Sequence, residues 1–219
     1  MSTSVSTTLI LNEPGILTKL SAKSKNDAKT RIRGEPLSRG WVTGLDSEKT
    51  KILAQLRDMI SEMRNLPSPN GGKFVGVADV TGKGPVFDLR LPRKSHWGPF
   101  ETVCAFHREL LGGQDVKDFG EEQFPGLKEL AAFYGEEWPR LVFTHGDLSN
   151  TNIMVRGDEI VSIIDWETVG WMPPYWEYTS AWHVNPQDAF WQAEVGRFIT
   201  PDPRVLDMEI IRRKYFGNF

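Results

Sequence analysis

The sequence contains almost no cysteine. Cys104 is the only one among the 219 residues. A single cysteine excludes an internal disulfide framework and a zinc site built on several thiolates. It also fits a reducing compartment, so we expect a cytoplasmic protein.

The patterns of membrane and nucleic-acid-binding proteins are missing as well. No apolar run approaches the roughly 20 residues that span a bilayer, and the short run Thr7–Leu11 lacks the basic flank of a secretory signal. The net charge is -3 and the Lys and Arg residues are scattered, so no basic stripe indicates a nucleic-acid or membrane partner. We therefore expect a small-molecule substrate.

What the chain does have is the composition of a globular domain, with 39% hydrophobic and 25% charged residues. Ile52, Leu56 and Met63 recur at helical spacing between Asp46, a candidate N-cap, and Pro67, and this pattern predicts an amphipathic helix. Five further helices are predicted over residues 100–111, 127–134, 175–183, 189–198 and 204–216.

Two β-branched runs, Asn152–Arg156 and Ile160–Ile164, flank the turn Gly157-Asp158-Glu159 and predict a β-hairpin. The segment 67–99 is rich in Gly and Pro, which indicates a long ordered loop with one short strand pair. Inside it, Gly76–Gly84 imitates a phosphate-binding loop. It has one residue too many before the second Gly and no Ser or Thr after its Lys, so we interpret it as a turn.

The stretch HGDLSNTN, residues 145–152, follows the apolar run Leu141–Phe143 and leads into the predicted hairpin. A hairpin returns its far end to its start, so we expect Asp147, Asn152 and Asp165 to converge. Two carboxylates and one amide oxygen suit a hard cation such as Mg²⁺. Asp147 has a second use, because a carboxylate accepts a proton from, or orients, a hydroxyl nucleophile.

The spacing H-x-D-x-x-x-x-N, followed by Ile164-Asp165, resembles the catalytic loop and metal-binding Asp of the protein kinases. With Gly146 and the triplet Asp165-Trp166-Glu167, it is similar to the aminoglycoside phosphotransferase and choline kinase-like family. The stretch Val169–Tyr178 resembles the fungal branch of that family. Upstream, Arg31–Leu37 and Leu89–Pro92 extend the resemblance to roughly residues 30 to 216.

The resemblance implies an α+β fold: a mainly helical protein-kinase-like C-lobe in which a small β-hairpin carries the site. Residues 32–219 would form this domain. Residues 1–31 would be a short N-terminal extension, a remnant of the β-lobe that in family kinases covers the ATP phosphates with a Gly-rich loop and a strand Lys. Lys19 is the one candidate for that lysine.

The resemblance also implies roles for the site residues. Asp147 would be the catalytic base or hydroxyl-orienting residue, and His145 would brace the loop. Asn152 and Asp165 would hold Mg²⁺ and, through it, ATP. Two further residues would lie on the substrate side: Trp166 and Glu167.

Other residues carry weaker patterns. His96, His107 and His183 stand singly, without the spacing of metal ligands, and are predicted to be surface or hydrogen-bonded core histidines. Cys104 is predicted to pack within its helix. The aromatic residues between 166 and 182 are predicted to form core, with an edge free to line a pocket.

Three functions remain open from the sequence. The first is phosphotransfer from Mg-ATP to a hydroxyl group, with the N-terminal arm or a second protomer of a homodimer covering the place of the missing lobe. The second is non-kinase chemistry, in which Asp147 and Asp165 act without ATP as acid, base or metal ligands. In its acid/base form it requires no cofactor. The third is a noncatalytic pseudokinase. The intact set of Asp147, Asn152 and Asp165 favours an enzyme, and phosphotransfer is the leading hypothesis.

Overall fold

The computed structural model describes residues 9–10, 33–69, 76–89, 91, 94–114, 120, 122–184 and 189–217. The helices are α1 (Asp46–Arg64), α2 (Val103–Leu110), α3 (Leu127–Tyr134), α4 (Trp176–His183), α5 (Ala189–Phe198) and α6 (Pro203–Phe216). The strands are β1 (Leu9–Ile10), β2 (Glu35–Pro36), β3 (Ala78–Asp79), β4 (Val86–Phe87), β5 (His96–Trp97), β6 (Val142–Thr144), β7 (Ile153–Arg156), β8 (Glu159–Ile163) and β9 (Gly170–Met172). The predicted α+β class is confirmed. Lys19 lies outside the described residues.

Helix α1 follows the predicted periodicity, and Ile52, Leu56 and Met63 are buried on one face. Its N-terminus differs from the prediction, because Asp46 is the first helical residue and Leu45 is the cap. Leu45 offers no side-chain oxygen. Instead the Glu48 carboxylate reaches back and accepts the Leu45 backbone N–H at 3.2 Å. Within the described ranges, no helix is both long enough and apolar enough to cross a bilayer.

Three small antiparallel sheets accompany the helices, with strand orders β1-β8-β7-β2, β3-β9-β6 and β4-β5. The predicted hairpin is confirmed as β7 and β8, with Arg156 paired to Glu159 across a two-residue turn. Gly157 opens that turn with a φ of 61°, which glycine adopts without strain.

Helix α1 anchors the turn of this hairpin. The Gln55 side chain donates to the Asp158 carbonyl at 2.8 Å and accepts the Ile160 N–H at 3.1 Å. Lys51 adds an ion pair to the Asp158 carboxylate at 2.9 Å. The hairpin is therefore fixed to α1 at its turn, and its open end faces the 145–152 loop.

The aromatic residues between 166 and 182 form core, as predicted, with Trp182 only partly buried. The predicted packing of Cys104 is wrong, since it lies on the exposed side of α2. On so short a helix the buried face is set by Phe106, His107 and Leu110, and residue 104 falls on the opposite face.

His107 is a hydrogen-bonded core histidine, one of the two roles predicted for it. Its Nδ1–H donates to the Tyr134 carbonyl at 3.1 Å, and its Nε2 accepts from the Tyr175 hydroxyl at 2.8 Å. The ring also stacks on Tyr134 at 4.1 Å between centroids. Burial disfavours the charged imidazolium and lowers the pKa of His107 to about 4.

This buried imidazole predicts a loss of stability in mild acid. The pKa of His107 is about 6.5 in the unfolded chain and lower in the folded protein, so in mild acid the unfolded chain binds the extra proton. The stability that neutral His107 contributes is therefore complete above pH 6.5 and is lost as the pH falls toward 4. We expect His107 to account for about 2 kcal/mol of that loss between pH 6.5 and 4.5. Urea denaturation at several pH values measures it. In a His107→Phe variant the free energy of unfolding should fall less steeply with decreasing pH than in the wild type. An unchanged dependence on pH would contradict the role given to His107.

Candidate functional site

The 145–152 loop begins where β6 ends and is buried at its start, with Thr144 and His145 fully covered. Gly146 has a φ of 82°. A Cβ on Gly146 would lie 3.0 Å from the Thr168 carbonyl oxygen. Glycine is therefore required here, because both the backbone conformation and the close approach exclude a side chain.

His145 fastens the loop to the end of β8. Its Nδ1 accepts the Asp147 backbone N–H at 3.1 Å, so the ring proton lies on Nε2, which donates to the Ile164 carbonyl at 3.0 Å. The Thr168 hydroxyl donates to the His145 carbonyl at 2.8 Å. Both ring nitrogens are thus used to hold Asp147 beside the segment that leads to Asp165, which is the geometry that a bracing role requires.

Asp147 and Asn152 are in direct contact. The Asn152 side-chain amide donates to the Asp147 carbonyl at 2.9 Å and to its carboxylate Oδ2 at 3.2 Å. Because the amide nitrogen faces Asp147, the amide oxygen of Asn152 is the group left for a cation. The backbone of Asn152 accepts the Ile164 N–H at 2.9 Å, so Asp165 follows a residue bonded to both His145 and Asn152. The structure thus brings Asp147 and Asn152 into contact, and it places the backbone of Asp165 one residue beyond this contact network.

Asp165 has an unusual backbone. Its φ of 63° and ψ of 60° place it in the left-handed region, and it is the one non-glycine residue with positive φ in the described part of the chain. Such a conformation costs on the order of 1 kcal/mol or more and persists where the surroundings enforce it. Asp165 is also exposed. A strained, accessible carboxylate beside Asn152 is typical of a functional position.

The donors present fit the magnesium ion that the resemblance implies. Asp147, Asn152 and Asp165 offer oxygen atoms, which Mg²⁺ prefers, and a Mg²⁺ site built on one or two carboxylates completes its shell with water and phosphate oxygens. No group of three or more His, Cys, Asp or Glu side chains placed to hold a metal occurs among the described residues. A cation bound here would thus depend on Asn152 and Asp165 together with ligands from outside the protein. Their metal-binding role stays a prediction.

The two residues predicted for the substrate side differ in position. Trp166 is only 4% exposed and donates its indole N–H to the Ile163 carbonyl at 2.7 Å. Its ring meets His145 edge-on at 4.4 Å. Glu167 is exposed. Trp166 therefore packs against the buried start of the 145–152 loop, and the exposed Glu167 is the better placed of the two to contact a ligand.

Glu177 is a site residue that the sequence analysis missed. It lies in the first turn of α4, is 1% exposed, and accepts the His145 N–H at 2.6 Å and the Gly146 N–H at 3.0 Å, one on each carboxylate oxygen. A buried carboxylate must be satisfied by donors. Its position inside the aromatic run Tyr175–Tyr178 was the available indication, since an acid among core residues is expected to have a partner.

The helical lobe, the 145–152 loop and the αL aspartate after the hairpin define a protein of the kinase-like phosphotransferase class. A model of the phosphotransferase enzyme family, APH, matches residues 28–208. The chain therefore belongs to the phosphotransferase enzyme family, as the resemblance predicted. No curated protein matches the sequence.

Proposed function

We propose that this protein transfers a phosphoryl group from Mg-ATP to a hydroxyl group of a small organic molecule. The observation that carries the proposal is the contact between the Asn152 amide and Oδ2 of Asp147 at 3.2 Å, made next to the αL residue Asp165. Family membership supports the same reaction class. Phosphoryl transfer relies mainly on positioning and charge stabilisation, and a carboxylate fixed in place, as Asp147 is by Asn152, supports that chemistry.

In this proposal Asp147 receives the acceptor hydroxyl. The hydroxyl oxygen forms a bond to the γ-phosphorus while the bond to the bridging oxygen of ADP breaks, and the hydroxyl proton passes to Asp147. Asn152 fixes the carboxylate through its amide nitrogen. Asn152 and Asp165 would hold Mg²⁺, which when bound neutralises negative charge on the phosphates.

We also propose that the N-terminal arm contributes to the nucleotide side of the site. Strand β1 pairs with β8, and Leu9 lies opposite Ile163, two residues before Asp165. A segment from the beginning of the chain thus runs along the strand that delivers this carboxylate. A second protomer is the other candidate for this position.

The closer kinship with the fungal branch, which rests on Val169–Tyr178, also remains a proposal.

The test is calorimetric titration of Mg-ATP into the wild-type protein and into Asp165→Asn. We expect saturable binding to the wild type, with an affinity at least roughly tenfold weaker in the variant because a neutral amide replaces a metal-binding carboxylate. Asp207→Asn, an exposed substitution on α6, is the matched control and should bind like the wild type.

Absence of Mg-ATP binding in the wild type would contradict phosphotransfer from ATP. A screen of small organic substrates would then separate the other two hypotheses. Turnover that Asp147→Asn abolishes would indicate acid/base or metal-assisted chemistry in the same site. Binding of a ligand without turnover would indicate a noncatalytic module.

A further inference from the structure

A cavity of about 680 Å³ lies next to the N-terminal end of β6, outside the site described above. It is bounded by the end of α1, the segment before β6, the segment before α4, and the connection between α5 and α6. Val142, the first residue of β6, lines it, whereas the 145–152 loop follows the other end of that strand. None of the residues of the 145–152 loop, the hairpin or Asp165 is part of its wall.

Three arginines line this cavity, and their hydrogen bonds go to uncharged acceptors. Arg57 donates through Nε and Nη2 to the Arg197 carbonyl. Arg64 donates to the Pro174 carbonyl at 3.0 Å. Arg140 donates through Nη2 to the Arg64 carbonyl at 3.3 Å, and the same nitrogen lies 3.2 Å from the Asn65 side-chain oxygen. A guanidinium group carries five N–H donors, so each arginine keeps donors for a further partner.

The positive charge of these arginines is only partly offset by acids. In the part of the chain that the structure describes, no carboxylate lies within ion-pair distance of Arg57, Arg64 or Arg140. Asp202 is the one acidic residue in the wall, and its carboxylate accepts the backbone N–H groups at the start of α6. Glu177 acts on Arg64 from outside the wall, and its carboxylate accepts the His145 and Gly146 N–H groups. Three cations thus meet two acids that already accept other donors, and the cavity is positive.

Arg64 is the most enclosed of the three. Burial lowers the pKa of Arg64, the Glu177 charge raises it, and the neighbouring Arg140 charge lowers it again. A bound anion interacts more strongly with a half-buried guanidinium than with a fully solvated one, because the local dielectric constant is lower. The neighbouring cation adds to this attraction. Arg57 and Arg140 are the two exposed arginines of the wall.

The rest of the wall is largely apolar and includes aromatic rings. Phe198, Ile60 and Val205 are buried core residues that border it. Trp138, Tyr175 and Tyr178 also line it. Trp138 is half-buried, and the two tyrosines are each only 7% exposed. A volume of this size accommodates a small organic ligand, and apolar walls with a few convergent polar groups are typical of binding pockets.

From this arrangement we infer a second ligand site that takes a small organic anion, a molecule with one acidic group for the Arg57, Arg64 and Arg140 cluster and an apolar ring for the aromatic wall. Guanidinium groups bind carboxylates, sulfonates and phosphates through paired hydrogen bonds. The site is separate from the proposed catalytic site, so it does not depend on phosphotransfer activity.

The test uses two fluorescent probes with the same ring system. 1-Anilinonaphthalene-8-sulfonate carries the anion, and N-phenyl-1-naphthylamine lacks it. We expect saturable binding of the sulfonate and weaker binding of the neutral probe. In Arg57→Gln/Arg140→Gln the sulfonate should bind at least roughly tenfold more weakly, with the neutral probe unaffected. The control Arg39→Gln/Arg108→Gln removes the same charge from exposed positions outside the cavity and should bind like the wild type.

Two further measurements keep the test decisive. In the wild type, raising the salt concentration should weaken binding of the sulfonate probe and leave the neutral probe unchanged, a result that does not depend on the folding of any variant. Asp165→Asn, which is changed in the proposed catalytic site and lies outside the wall of the cavity, should bind the sulfonate like the wild type. Weaker sulfonate binding in Asp165→Asn, equal affinity for the two probes, or equal affinity of the double variant and its control would each overturn the inference.

Discussion

Glu177→Ala is expected to lower the free energy of unfolding by about 3 to 5 kcal/mol, the range for removing one partner of a buried charged network. The carboxylate is 1% exposed and satisfies two backbone N–H groups, those of His145 and Gly146. Hydrogen bonds to a charged group contribute about 1.5 to 3 kcal/mol each, and alanine would leave both donors buried without an acceptor. Urea denaturation followed by circular dichroism measures the change.

Glu177→Gln removes the negative charge of the carboxylate and keeps the size of the side chain. The glutamine oxygen can accept one of the two N–H groups, but its NH₂ group would face the other donor, so we expect about half of the loss seen with alanine. Glu137→Ala, at an exposed position, serves as the matched control and should stay within about 0.5 kcal/mol of the wild type. A loss below about 1 kcal/mol for Glu177→Ala would mean that Glu177 does not hold the 145–152 loop.

Asp147→Asn is expected to reduce phosphoryl transfer by about 10²- to 10⁴-fold, the range that a positioned acid/base group contributes. The variant keeps the size of the side chain and an oxygen for the Asn152 amide, which now lies 3.2 Å from Oδ2. It loses the charge that accepts or orients the hydroxyl proton. Release of ADP in the presence of the best acceptor from a screen of hydroxylated molecules measures the rate.

The binding of Mg-ATP distinguishes this effect from a disturbed site. Asp147→Asn should bind Mg-ATP within a few-fold of the wild type, whereas Asp165→Asn should bind it at least roughly tenfold more weakly and also lose turnover. A fully active Asp147→Asn protein would contradict the proposed role of this carboxylate. A variant that binds no Mg-ATP would indicate that Asp147 acts through the metal rather than on the acceptor.

Much of the local structure follows from short-range patterns. The spacing of Ile52, Leu56 and Met63 predicted α1, because a 3.6-residue period places these side chains on one face. Gly157-Asp158 between two β-branched runs predicted the hairpin, because the turn needs a residue that tolerates positive φ. The 145–152 motif predicted the family, since its spacing is fixed by the chemistry of the loop.

Properties that depend on packing between distant segments were missed or wrong. Glu177 lies 32 positions from His145 along the chain, and nothing local shows that α4 places its carboxylate beneath the loop. Cys104 was predicted to pack, but its exposure depends on the face that α2 turns toward α4. The αL backbone of Asp165 arises where β8 must turn beside His145 and Asn152, and sequence alone does not report that constraint.

The sequence by itself thus determined the positions of most helices, the hairpin, the family, and the residues expected to converge, because periodicity, turn chemistry and motif spacing are local. Only the tertiary structure decided which carboxylate holds the 145–152 loop and which arginines share a cavity. Arg57 and Arg64 come from α1, whereas Arg140 precedes β6. They line a common cavity because α1 packs against the sheet. The burial of Arg64 and the closeness of the three positive charges both result from that packing.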